Sequence, residues 1–303
     1  VNPQRLSDIG EDALIERLVQ LVPHSPSASG GPGDDCAVID PGAEFSTLQL
    51  LKTDALVERV HYLPDAPARA VGWKSVARVI SDFAAMGGKP EHFLVTLALP
   101  KSTAVGWIED VYRGIGDCLE KFGGLLAGGE TSSVPDGSAA VISIAATGSV
   151  LREHLVLRST AKLGETLFVT GNLGGSIRGK HLDFTPRLAE AAWLVEHFKP
   201  TAMMDLSDGL GKDLPRLAEA SDCGFLIDEA ALPLSENCSA AQAIGDGEDF
   251  ELLFAIDAGK ADELVKQWRG KFPATPLTAI GRMTATGEGA SLNGGWDHFS
   301  IPS

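Results

Sequence analysis

Apolar residues recur at helical spacing over residues 11–22, through Ile15, Leu18, Val19 and Val22, and Pro23 ends the pattern. A Ser/Gly/Pro-rich loop follows over 25–33. Short apolar runs at 36–39 and 48–52 predict strands, each beside an acidic cluster. Over 69–86, Val76, Val79, Ile80 and Phe83 fall on one helical face, which Gly87-Gly88 caps and Pro90 prevents from continuing. A near-continuous apolar strand at 93–99 stops at Pro100, and a second strong helix signal spans 104–122, with Gly123 as its cap. A short strand at 125–127 runs into Gly128-Gly129-Glu130-Thr131, and another strand covers 139–147.

The pattern changes near residue 150, where 152–162 is polar and loop-like. Beyond it come strands at 166–170, 202–204, 225–227, 250–256 and 277–280, a helix starting at Leu210 and another at 259–268. We therefore expect an N-terminal unit, 1–149, and a C-terminal unit, 150–303. Strands and helices interleave in both, which places the chain in the α/β or α+β class. Forty-four per cent of its 303 residues are hydrophobic, enough for a real core in each unit.

Charge narrows the function. Lys plus Arg number 25 against 41 Asp plus Glu, a formal charge of −16. Such a surface repels nucleic acid and anionic lipid, and would repel a nucleotide unless metal ions mediate. The four cysteines have no C-x-x-C spacing, so neither a zinc site nor a redox motif is expected, and they suit a reducing cytoplasm. The first five residues do not read as the start of a signal peptide, and no apolar run is long enough to span a bilayer.

Residues 174–180 read G-x-x-x-x-G-K, but His181 stands where a phosphate loop needs a Ser or Thr to ligate Mg²⁺. Pro186 leaves little room for a phosphate-capping helix, so a chance match is the better reading. The acidic motifs carry more. Gly33-Asp34-Asp35, Thr53-Asp54, Ser81-Asp82, Gly129-Glu130-Thr131, Asp205-Leu206-Ser207-Asp208-Gly209 and Gly247-Glu248-Asp249-Phe250 each read as an element end flanked by small residues. Any one could be a turn or a helix cap. Together they could line a polyphosphate site, because Mg²⁺ is held by a few carboxylates plus substrate phosphates. Asp82 is the hardest to explain structurally, since Phe83-Ala84-Ala85-Met86 follows it and a carboxylate in apolar company needs a partner.

Taken in order, GDDCAVI (33–39), TDALVERVHY (53–62), VGWKSVARVISDFAAMGGKP (71–90), LALP (97–100), LLAGGETS (125–132), LFVTGNLGGS (167–176), MMDLSDGLGKDL (203–214), ASDCG (220–224), GEDFELLF (247–254), IGRM (280–283) and GGWDHF (294–299) resemble the thiamine-monophosphate kinases. These belong to the superfamily of aminoimidazole ribonucleotide synthetase and selenophosphate synthetase. The resemblance implies two mixed α/β domains and a homodimer whose N-terminal strands close a shared barrel. It implies an enzyme that uses Mg²⁺ and ATP to phosphorylate thiamine monophosphate directly on its phosphate.

By the same resemblance Asp35, Thr53, Asp54, Asp82 and Asp205 hold magnesium, and Asp208 a further ion. Glu130 replaces the usual Asp or Asn and reaches further toward any metal it holds. Asp54, Asp82 and Asp208 form the catalytic centre. Tyr112, Gly128, Gly129, Arg158 and Ser207 meet ATP, and His61, Glu248, Asp249 and Trp296 meet the thiamine phosphate, where an indole face suits a cationic thiazolium. No general base is expected, because a phosphate acceptor is already ionised near neutral pH. The family usually has Asn where Val79 stands. Two alternatives remain: a relative acting on another phosphorylated substrate, and an ATP-binding dimer without turnover.

Overall fold

The computed structural model describes residues 4–24 and 31–299; most of the loop expected at 25–33, and the first three and last four residues, lie outside this range. The N-terminal half contains α1 (Glu11–Val19), β1 (Ala37–Ile39), β2 (Thr47–Val57), α2 (Ala68–Ala85), β3 (Lys89–Pro100), α3 (Val105–Phe122), β4 (Leu125–Val134) and β5 (Val141–Leu151). Its five strands form one sheet in the order β1-β2-β5-β3-β4. All neighbours are antiparallel except β3 and β4, which run parallel.

Alternation along the strands decides which face is covered. Leu48, Leu50 and Leu56 of β2, Val95 and Leu97 of β3, and Ile142 and Ile144 of β5 bury into one core with Val76, Val79 and Phe83 of α2 and Val111 and Ile115 of α3. The two helices cross with their backbones nearly touching. A Cβ on Gly72 would meet the Val111 carbonyl oxygen at 1.9 Å, and one on Gly114 the Arg69 carbonyl oxygen at 1.8 Å. Only glycine fits at either position.

The C-terminal half contains β6 (Thr166–Thr170), α4 (Lys180–Asp183), α5 (Leu188–His197), β7 (Ala202–Asp205), α6 (Leu210–Ala220), β8 (Cys223–Ile227), α7 (Ala240–Gly245), β9 (Leu252–Ile256), α8 (Ala261–Lys271) and β10 (Leu277–Ala285). Its sheet is antiparallel throughout, in the order β7-β9-β6-β10-β8. Both faces are covered, so β9 is buried along its whole length. Leu210, Leu214 and Leu217 of α6 pack on one face. Leu194 of α5 and Leu264 and Trp268 of α8 pack on the other, together with Ala84 and Ala85 from the end of α2. Helix α2 therefore belongs to the cores of both halves. The architecture is mixed α/β with two sheets, in keeping with the expected class.

Several elements differ from expectation. Helix α1 stops at Val19 rather than near Pro23. Strand β2 runs on to Val57 and β4 on to Val134, so Thr53-Asp54 and Gly129-Glu130-Thr131 lie inside strands rather than at element ends. Helix α5 carries a helical pattern, Leu188, Ala191, Leu194 and Val195, to which no element was assigned above. Phe250 precedes β9 in a left-handed conformation (φ 50°) instead of opening the strand. No helix among the described residues is long and apolar enough to cross a membrane.

Candidate active site

Three buried carboxylates converge from distant parts of the chain. Asp35 lies just before β1, Asp82 in the last turn of α2, and Asp205 at the end of β7. One ligand oxygen from each lies within 4.8 Å of the others. Each carboxylate has one strong protein partner. Lys52 Nζ donates to Asp82 Oδ1 at 2.6 Å. Arg158 forks onto Asp35, with Nη2 at 2.5 Å and Nε at 3.3 Å. Ser81 Oγ donates to Asp205 Oδ2 at 2.6 Å. Asp34 completes the group by accepting the Arg158 backbone N–H at 3.1 Å.

Burial pushes these carboxyls up: Asp205 to about 7, with Asp35 adding to the effect, and Asp34 to about 6, again with Asp35. Asp82 is raised by burial too, against the pull of Lys52. On Lys52, burial works against the charge, but Asp82 and Asp54 outweigh it and hold the ammonium above its ordinary range. Four carboxylates thus share two cations, Lys52 and Arg158. Buried oxygen donors with a deficit of positive charge suit a hard divalent cation that keeps several waters. Asp54 projects from the same face of β2 as Lys52 and pairs with Arg78 at 3.1 Å, beside rather than within the triad.

A cavity of about 280 Å³ is bordered by Arg78, one turn before Asp82 on α2, and by Ser207 and Asp208, which follow Asp205. His61, Arg78, Ser207, Asp208, Glu248, Phe250, Trp296 and His298 are among its lining residues. The side chain of Lys74, fully buried in α2, anchors the wall. Its Nζ lies 2.6 Å from the His61 carbonyl oxygen, 2.8 Å from His181 Nδ1 and 2.8 Å from Glu248 Oε2. Burial opposes the charge of Glu248, but His181 and Lys74 hold its carboxyl down at about 2. Burial brings Lys74 down to about 8 even with Glu248 beside it, so the pair is ionised at neutral pH. Glu248 (φ 63°) and Phe250 (φ 50°) are both left-handed non-glycine residues. Such conformations persist only where surrounding contacts impose them, as at binding sites.

The imidazole of His61 accepts the Val57 N–H at Nδ1, 3.0 Å away. Burial and Arg78 push it down to about 4, so it stays neutral and presents a donor at Nε2. Trp296 is about half exposed. Its backbone N–H donates to the Asp208 carbonyl and its own carbonyl accepts Lys212 Nζ, both at 2.8 Å, while the indole Nε1–H is directed at His298 Nδ1, 3.4 Å away, and both residues line the cavity. The Asp208 carboxylate accepts Arg216 Nη1 at 2.6 Å and has Lys212 at 3.4 Å.

The glycine-rich loop at 174–180 is already occupied by the protein's own carboxylates. Gly174 N–H donates to Asp249 Oδ2 at 2.8 Å and Gly175 N–H to Asp246 Oδ2 at 2.7 Å. Lys180 Nζ donates to Glu251 at 3.0 Å, and Arg187 forks onto the same carboxylate at 2.6 and 2.7 Å. A lysine tied inward in this way is not available to β- and γ-phosphates. Lys180→Ala should therefore leave nucleotide affinity within a few-fold, while Arg187 limits the stability loss to about 1 kcal/mol. Calorimetric titration with an ATP analogue, read beside a melting curve, checks this; a large loss of nucleotide binding would make the loop a phosphate cradle after all.

The structure gathers Asp35, Asp82, Asp205 and Arg158 at the acidic centre, and His61, Ser207, Asp208, Glu248 and Trp296 around the cavity. Asp249 sits behind the cavity wall, bound by the loop. Thr53, Gly128, Gly129 and Glu130 are not brought to the centre. Thr53 and Gly128 share a cross-strand row through Ala145 and Leu94. Alternation turns Thr53 away from Lys52 and Asp54, onto the open face of the sheet, where it lines a broad groove. Glu130 is exposed on edge strand β4, separated from β2 by β5 and β3. Tyr112 is exposed on α3. Lys52, Lys74 and His181 are site residues that sequence reasoning did not select.

Residues 33–150 match the family model described as AIR synthase related protein, N-terminal domain, and residues 144–292 the one described as AIR synthase related protein, C-terminal domain. The chain is thus an AIR synthase related protein over both of its halves. Within that class the chain belongs to the thiamine-monophosphate kinase family. The thiamine-monophosphate kinase of Rhodopirellula baltica is 36% identical over 90% of this chain and 89% of its own. That of Escherichia coli K12 is 32% identical over 97% and 99%. The solved structure of AaThiL complexed with AMPPCP and TMP superposes with a TM-score of 0.82 at 28% identity, covering 98% of this chain and 100% of that one.

Proposed function

We propose that this protein transfers the γ-phosphoryl group of ATP to the phosphate of thiamine monophosphate, giving ADP and thiamine diphosphate. The observation that carries this reading is the convergence of Asp35, Asp82 and Asp205 beside a cavity whose walls offer Arg78, His61 and an open indole. The first set suits Mg²⁺, and the second suits an anionic phosphate attached to a cationic aromatic ring. Mg²⁺, when bound, supplies charge neutralisation for the transferring phosphoryl group. Asp35, Asp82 and Asp205 would hold it, with Asp54 and Asp208 as further carboxylates on either side.

The rest falls to the chain's own groups. Arg158, now on Asp35, is placed to turn toward nucleotide phosphates. Neutral His61 donates through Nε2, and Trp296 stacks against the thiazolium. Glu248, fixed by Lys74, orients the acceptor. With the acceptor already ionised, catalysis consists of positioning and electrostatic stabilisation.

We further infer two domains meeting near residue 150 and a cytoplasmic homodimer. The open sheet face and the edge β4 expose Leu94, Leu125 and Leu126, an apolar border that an unpaired edge strand rarely keeps. A barrel closed there by a second copy would cover Thr53, Gly128 and Glu130 and bring them to a nucleotide.

Purified protein given Mg²⁺, ATP and thiamine monophosphate should form ADP and thiamine diphosphate in equal amounts. ADP without thiamine diphosphate would mean a different acceptor. Absence of both products would favour an ATP-binding dimer without turnover.

A further inference from the structure

Lys52 is the one cation at the acidic centre to which no role has yet been given. It lies on the inward face of β2 in the same cross-strand row as Ala146 and Phe93, and the small alanine beside it leaves room for its stem. Its side chain is mostly shielded, and its ammonium touches Asp82, whose side chain is almost wholly buried. Asp35 and Asp205 have different partners. A planar, forked guanidinium holds one, and a neutral hydroxyl holds the other. Asp82 alone is held by a compact point charge.

A divalent ion that shares Asp82 must accept a positive charge a few ångström away, and that repulsion weakens its binding. A polyphosphate brought to the same place reverses the balance, because its negative charge compensates both cations. We propose that Lys52 is a positioning residue that holds Asp82 and keeps the centre charge-compensated before nucleotide arrives, so that the divalent cation is taken up together with the polyphosphate rather than ahead of it. The inference rests on the metal assignment in the function proposed above. It concerns metal uptake only, so it stands apart from the identity of the acceptor.

Mn²⁺ binding to the full chain, followed by electron paramagnetic resonance, tests it without turnover and without thiamine monophosphate. Without nucleotide, Lys52→Met should bind Mn²⁺ at least about tenfold tighter than the unchanged protein. A non-hydrolysable ATP analogue should tighten Mn²⁺ binding strongly in the unchanged protein and much less in Lys52→Met, because coupling between two ligands is reciprocal. Lys52→Arg should behave as lysine does. In an Asp82→Asn background, the difference between Lys and Met at position 52 should shrink, because Lys52 then has no carboxylate of the centre to hold. Should Lys52→Met fail to fold, Lys52→Gln carries the same expectations.

Mn²⁺ affinity in Lys52→Met equal to or weaker than in the unchanged protein would overturn the inference, even if the protein makes thiamine diphosphate. Tighter binding in a protein that makes none would uphold it and dismiss only the substrate. Absence of Mn²⁺ binding by the unchanged protein, even with the analogue, would remove the metal assignment and this inference together.

Discussion

Asp82→Asn should reduce turnover by about a thousandfold or more while the folded protein keeps its melting temperature. Asparagine preserves the shape and one carbonyl oxygen but removes the charge. The charge is what a divalent cation needs from this position, so the loss falls on stabilisation of the transferring phosphoryl group. Stability should change little, because two effects oppose each other. Lys52 loses its ion pair, yet Asp205 and Asp35 lose a like-charged neighbour in a buried site. A purely structural carboxylate would behave in the opposite way, with a lowered melting temperature and near-normal activity in the surviving folded protein. Melting temperature and turnover measured on one sample decide the matter; near-normal turnover per folded molecule would remove Asp82 from the transfer centre.

Lys74→Met should both destabilise the protein and weaken its hold on the acceptor. Methionine has a similar length but offers no charge. Glu248 keeps only His181, at 3.2 Å, and the His61 carbonyl that Lys74 also engages loses this donor. Breaking one side of a buried ion pair costs about 3–5 kcal/mol. Glu248 is then directed by His181 alone, so KM for thiamine monophosphate should rise at least about tenfold while KM for ATP stays within about twofold. Lys74→Arg should not restore either property, because a guanidinium fork cannot reproduce three contacts made around one nitrogen. An unchanged acceptor KM, measured at low temperature where the variant is folded, would limit Lys74 to a structural role.

Much of this could be read from the chain, and the exceptions share a cause. α2, α3 and β3 were legible because each presents a strong apolar face. Local pattern predicts only the start of β4, because its residues, Leu-Leu-Ala-Gly-Gly-Glu-Thr-Ser-Ser-Val, hardly alternate. It becomes a strand by parallel pairing with β3, a long-range interaction that local pattern does not record. β2 was truncated for a related reason, since Lys52 and Asp54 interrupt the apolar face where the site begins. Asp82 announced itself as a carboxylate among apolar neighbours, and it does have a partner. That the partner is Lys52, 30 residues away, could not be read, and neither could the meeting of Lys74 with Glu248 across 174 residues. His181 was noticed only as the residue that spoils a phosphate-loop pattern. Its place beside Lys74 depends on α4, a helix of one turn.

Helix α2 works as a gauge. Lys74 at one station serves the acceptor pocket and Asp82, eight residues on, serves the transfer centre, about 12 Å further along the axis. The rod cannot slide, because Gly72 seats it against α3, and Ala84 and Ala85 embed its far end in the opposite half. Insertion of a single residue between the two stations would advance one by about 1.5 Å and rotate it by about 100° relative to the other, spoiling both at once. The distance from acceptor to donor is therefore written into the length of this stretch of chain. Any drift toward a longer or shorter acceptor has to be accommodated by the loops around the pocket.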